Sequence, residues 1–175
     1  MGDIEGRLAA AGLALPPSPQ APQGARFPFA MVRQYGSRLL ISGHGPQDAS
    51  GGFHAMRGKL GEELDVEQGY LAARLTALSM LGSIKRELGE LDRVVRWIRV
   101  FGMVNSTPAF FDHPAVINGF SDLILSLYGE DRGAHVRSAV GMMQLPFNIP
   151  VEIEAEVEVD VDRAGEHDDA WQPYS

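Results

Sequence analysis

Residues 151–159 read Val-Glu-Ile-Glu-Ala-Glu-Val-Glu-Val. The alternation puts Val151, Ile153, Ala155, Val157 and Val159 on one side of a strand and four glutamates on the other, as in a strand with one covered and one wet face. Just upstream, residues 136–144 (VRSAVGMMQ) form a second strand candidate, and Leu145-Pro146-Phe147-Asn148 between the two reads as a hairpin turn. Residues 94–104 (VVRWIRVFGMV) are apolar at both parities, with Val94, Ile98 and Val100 against Val95, Trp97, Phe101 and Met103. A strand of that kind is covered by helices on one side and by something else on the other.

Two helices lie between the strands. Residues 66–88 carry Leu71, Leu75, Leu78, Leu81, Ile84 and Leu88 at spacings of three and four, with Asp65 and Gln68 as a capping box and Gly89 as the stop. From Asp112 or His113, with Pro114 in the first turn, a second helix buries Val116, Phe120, Leu123 and Leu127 and ends at Gly129. Near the N-terminus, residues 29–33 and 38–42 read as a hairpin around Tyr35-Gly36-Ser37, and residues 53–59 as a further short strand. The order ββ(β)–α–β–α–ββ predicts an α+β fold in which one mostly antiparallel sheet carries two long helices on one face. Apolar residues on the other face imply a second copy of the chain.

Residues 1–26 hold a short amphipathic helix (Ile4, Leu8 and Ala11 on one face) and an extended arm, because five of the 11 prolines fall within residues 16–28. The domain proper is expected over residues 27–160, followed by an acidic, solvated tail over residues 161–175. Half of the formal charge of −8 lies in residues 160–175. That balance argues against nucleic acid, which needs clustered Lys and Arg. No apolar run is long enough to span a membrane, and the acidic start is unlike a secretory leader, so a cytoplasmic chain is expected. Without cysteine, and with no HxH or HxxxH among five histidines, no metal is expected.

A few residues stand out chemically. Arg137 lies inside an otherwise apolar strand, either as a buried ion-pair partner or as a fork for a ligand carboxylate. Glu152, Glu154, Glu156 and Glu158 form a carboxylate row, a solvated face unless one member meets a cavity or a positive charge. If the last hairpin folds about Phe147, Arg137 lies opposite Val157, and Glu152 is then roughly 17 Å away. The two could meet only through a shifted register or across a subunit interface. Ser42-Gly43-His44-Gly45 lets a backbone approach a ligand, although it lacks nucleotide-loop spacing. His44 reads as a turn or interface histidine or as a general base. Asn118 is a surface amide or a ligand donor.

With those residues in view, His135-Val136-Arg137-Ser138-Ala139-Val140, Leu145-Pro146 and Val151-Glu152-Ile153-Glu154-Ala155 resemble the C-terminal signature of the reactive intermediate deaminase family (Rid, YjgF-like, also called endoribonuclease L-PSP). Leu40-Ile41-Ser42-Gly43, Ile117-Asn118-Gly119 and Phe27-Pro28-Phe29 are similar to its other landmarks, and the chain looks like the longer L-PSP/chorismate-mutase-like subgroup. The resemblance implies a chorismate-mutase-like fold, a homotrimer whose sheets close into a barrel, and clefts between subunits. It implies hydrolysis of 2-enamine or 2-imine acids to 2-keto acids and ammonia, with no metal or cofactor. Arg137 would bind the substrate carboxylate and Glu152 would position water, with Phe29, Ser42, Gly43, Asn118 and Ala139 around the substrate. Ala139 stands where the family often has cysteine, and Phe29 where it has tyrosine. Loss of that hydroxyl favours the alternative, a non-catalytic trimer that binds carboxylate metabolites. The older name suggests a ribonuclease, which the acidic balance counts against.

Overall fold

A computed structural model describes residues 2–161. One mixed five-stranded sheet, ordered β1-β2-β5-β3-β4, carries the fold. Its strands are β1 (Val32–Tyr35), β2 (Arg38–His44), β3 (Val94–Asn105), β4 (Val136–Met142) and β5 (Val151–Val159). Helices α2 (Val66–Leu88) and α3 (His113–Gly133) cover one face, and α1 (Asp3–Ala10) docks beside α3. The hairpin β1–β2 turns on Gly36 at φ +59. Helix α2 starts with the expected box: Gln68 N–H donates to Asp65 at 2.8 Å, and Asp65 N–H to the Gln68 side chain at 3.0 Å.

The last two strands do not form a hairpin. β5 inserts antiparallel between β2 and β3, while β4 runs parallel to β3 at the sheet edge. The short 145–150 link suggested pairing, but the single turn Pro146–Asn148 carries the chain past β3 instead. Arg137 is therefore level with Val100, and through it with Ala155, not with Val157. β3 contains two register shifts, between Val94 and Arg96 and between Trp97 and Arg99. Such bulges reset the alternation, so Val94, Trp97, Val100 and Val104 all face the helices. Trp97 packs edge-on against Phe120 and Tyr128, where the simple alternation placed it on the other face.

The buried face of α2 is richer in small residues than the leucine spacing implied. Ala72, Ala73, Ala77, Met80, Leu81 and Ile84 are buried, and Leu71 is 46% exposed. Close approach of α3 explains this: a Cβ at Gly119 would overlap the Tyr70 carbonyl, so only small surfaces fit between the helices. In α3, Gly129 takes φ +72, a break rather than the end of the helix. Residues 53–59 make no strand and contribute only an isolated bridge at Phe53. The core reaches back beyond Phe27, because Ile4 and Leu8 are buried within it. Of the tail expected over residues 161–175, only Val161 is described; the rest lies outside the described residues. Among the described residues no helix is long and apolar enough to cross a membrane. The sheet face opposite the helices exposes Leu40 and Val95 beside the glutamate row.

Candidate active site

The expected site residues fall into two groups. The first surrounds Arg137, whose side chain crosses from the edge strand to α3. Its Nη1 donates to Ser121 Oγ at 2.8 Å, and its Nη2 to Asn118 Oδ1 at 2.7 Å and to the Pro114 carbonyl at 3.3 Å. Every one of these acceptors is neutral, and among the described residues no carboxylate pairs with Arg137. The guanidinium is thus held in place, and no described carboxylate compensates its charge. Ser121 extends the chain: it accepts from Arg137, which leaves its own proton for His135 Nε2 at 3.0 Å, while His135 Nδ1 meets the Gly133 carbonyl at 2.7 Å. Burial lowers the His135 pKa, the backbone carbonyl opposes this and Arg137 adds to the lowering. A neutral ring suits that role.

Ala139 is on the same strand. The Met142 carbonyl accepts from Ser106 N–H, so its backbone turns toward β3. Alternation then directs the backbone groups of Arg137, Ala139 and Gly141 to the open edge, where they are free to meet a ligand or another chain.

The second group surrounds Glu152. β2 is irregular between Ile41 and His44, and this bulge brings Gly43 against the Glu152 side chain. A Cβ at position 43 would overlap the Glu152 carboxylate, so glycine there lets the carboxylate keep its place. Glu156 pairs with Arg38, and Glu154 with Arg99 at 3.5 Å. Glu152 has no hydrogen-bond donor among the described residues. Burial pushes its carboxyl up from the ordinary value, and the Glu154 carboxylate adds to the shift. Glu152, Gly43 and Phe29 line one cavity of about 330 Å³, with Phe27, Phe53, Phe147 and His44. Ser42 turns elsewhere: its hydroxyl donates to the Ala30 carbonyl at 2.8 Å, and it borders the open sheet face beside Leu40 and Glu154.

His44 is a structural residue. It is 1% exposed, with Nδ1 at 2.7 Å from the Ser42 carbonyl and Nε2 at 2.9 Å from Ser83 Oγ. Burial lowers its pKa to about 4, so the ring is neutral near pH 7 and donates from Nδ1.

One chain does not bring the two groups together. Arg137 is level with Ala155, three residues from Glu152 and two strands away. At strand spacings that is about 14 Å between backbones. The side chains also leave opposite faces of the sheet, since Arg137 reaches α3 whereas the glutamates alternate with the residues buried under the helices. His135 opens the signature around Arg137, whereas nothing in the sequence marks Ser121, Phe53 or Phe147 as neighbours of the site. In sequence, Phe147 reads only as part of a turn.

Comparison with known proteins adds four findings. Residues 5–154 match the model of the YjgF/chorismate mutase-like endoribonuclease family. The chain is 46% identical over 118 residues to Protein TCP17 of Trypanosoma cruzi, a match covering 67% of this chain and 72% of that protein. Among solved structures, a protein of unknown function from Agrobacterium tumefaciens is 39% identical with a TM-score of 0.80, covering 91% of this chain and 93% of its own. A Yersinia pestis protein of unknown function, named as a member of the conserved Rid family, covers 81% of this chain and 93% of its own. At 17% identity and a TM-score of 0.56 it shows a shared fold and no more.

Proposed function

This chain belongs to the YjgF/chorismate mutase-like family, and from that premise we propose that it is a cytoplasmic hydrolase of 2-imine and 2-enamine acids, working in clefts between the subunits of a homotrimer. The observation that carries this reading is Arg137, a guanidinium fixed by Ser121, Asn118 and Pro114 with no carboxylate among the described residues to balance it. Such a fork matches a substrate carboxylate. In the cleft, Arg137 and the Ala139 backbone of one subunit face Glu152, Gly43 and Phe29 of the next, which relieves the separation within a chain.

The chemistry asks little of the protein. The substrate is already electrophilic, so orientation by the arginine and a placed water supply much of the acceleration. Glu152 takes a proton from water as the oxygen bonds to the imine carbon and the C=N electrons move to nitrogen. It then returns that proton to nitrogen to give a carbinolamine, takes the proton of the new hydroxyl and passes it to the nitrogen as the C–N bond breaks, and ammonia and the 2-keto acid leave. A carboxyl raised by burial is suited to both steps.

The test is hydrolysis of imino acids made in situ by an amino-acid oxidase, with semicarbazide competing for unreacted imine. Catalytic amounts of the protein should suppress the semicarbazone, and Arg137→Ala should lose at least 100-fold of that effect. A folded protein that never suppresses it would contradict the reading. That outcome would favour the second reading, a trimer that binds carboxylate metabolites without turnover. Phe29, which brings no hydroxyl to the Glu152 cavity, is the feature on that side.

A further inference from the structure

We infer that the cavity beside Glu152 receives the substrate's side chain and selects a large apolar or aromatic one; this rests on the deaminase reading only for where the reacting carbon lies. The cavity holds about 330 Å³, within the range of small-molecule sites. Its walls are Phe27, Phe29, Met31, Phe53, Phe147 and Ile149. Of the polar groups that also line it, Gln47, Ser79 and His44 are already engaged with the protein, which leaves Gln20, Arg26 and Glu152. Gln47 donates to the Gly51 carbonyl at 2.7 Å and accepts from Ser79, and both nitrogens of His44 are bonded. A polar side chain entering here would lose water and find few partners in exchange, which is costly. An acidic one would also meet Glu152, which offsets any attraction to Arg26 on the same lining.

Two features show that the chain shapes this wall. Phe147 and Asn148 both take φ +55, left-handed conformations that non-glycine residues adopt only at a cost. Buried Asn105 holds them there, donating to Asn148 Oδ1 at 3.0 Å and to the Ile149 carbonyl at 3.2 Å. The result is a 45% exposed Phe147 ring, 5.2 Å from Phe53, along the cavity. On the opposite side the proline-rich arm closes in, with Gln20 N–H donating to the Gly51 carbonyl at 3.1 Å. The arm places Phe27 5.7 Å from Phe29. Gly51 permits this approach, because a Cβ there would crowd the Ser18 carbonyl.

Binding of 2-keto acids, the stable product side of the reaction, tests the inference without turnover. By calorimetry, phenylpyruvate and 4-methyl-2-oxopentanoate should bind the full chain at least tenfold tighter than pyruvate, and 2-oxosuccinate should bind no better than pyruvate. Phe147→Ala should shrink the preference to threefold or less, and Phe53→Leu should shrink it in part should the first variant fail to fold. Equal affinity for phenylpyruvate and pyruvate, or a preference untouched in both folded variants, would overturn the inference. Imines from phenylalanine, leucine, alanine and aspartate complete the comparison. Hydrolysis of the alanine imine as fast as the phenylalanine imine would sink the selectivity and leave the deaminase reading standing. Selective keto-acid binding without hydrolysis of any imine would do the reverse.

Discussion

At Gly43 and Glu152 a single missing methyl group fixes where a carboxylate can stand. Gly43→Ala places a Cβ on the Glu152 carboxylate, and should lower kcat for imine hydrolysis at least tenfold while the fold persists. Glu152→Gln should lower it further. The pH profile follows from the direction of the shift. Burial and Glu154 raise the Glu152 carboxyl, so the basic form that accepts water's proton is lost as pH falls through that raised value. The acid limb of kcat/KM should therefore lie at higher pH than an ordinary glutamate would give, and it should vanish in Glu152→Gln. At this scale Arg137 was legible because a charge inside an apolar strand needs an explanation. Which carboxylate of the row was special was not legible, because Glu152, Glu154, Glu156 and Glu158 share one pattern. Only the β2 bulge and two arginines tell them apart.

Strands and helices were readable where their signals are local. The capping box of α2, its glycine stop and the alternation of β5 all depend on neighbours within a few residues, and all three elements form as their residues imply. Signals that depend on distant chain were misread. Two bulges rephase β3, and β5 chooses β2 and β3 as partners over the strand just before it. His44 is the clip between two such elements, joining β2 to Ser83 of α2. Its folded pKa of about 4 lies below the ordinary 6.5. The native state thus refuses a proton that the unfolded chain accepts below pH 6.5. Stability from this group is present above pH 6.5 and falls as pH drops toward 4, by on the order of 3 kcal/mol in total. Urea unfolding over that window should show the loss in the wild type, and a flatter pH dependence in His44→Gln.

For the molecule as a whole, the sheet leaves an edge strand and a partly apolar face uncovered, and its two groups of site residues lie about 14 Å apart on opposite faces. Both facts point to the same remedy, a neighbouring copy laid against the edge and the open face. The apolar residues at both parities of β3 hinted at this cover in the sequence, but nothing there revealed which residues would meet across it. The N-terminal helix, read as an appendage, is part of the core through Ile4 and Leu8, and the arm after it walls the cavity. A mass near three times 19.0 kDa is expected in solution.

Complementation between inactive variants tests the shared cleft directly. Arg137→Ala and Glu152→Gln, each folded and inactive alone, are unfolded together, mixed in equal amounts and refolded. If Arg137 of one subunit works with Glu152 of the next, random assembly restores both residues in about a quarter of the clefts, with imine hydrolysis near that fraction of wild type. Activity that stays at the level of the separate variants, in mixed oligomers shown to contain both chains, would contradict a site built from two copies.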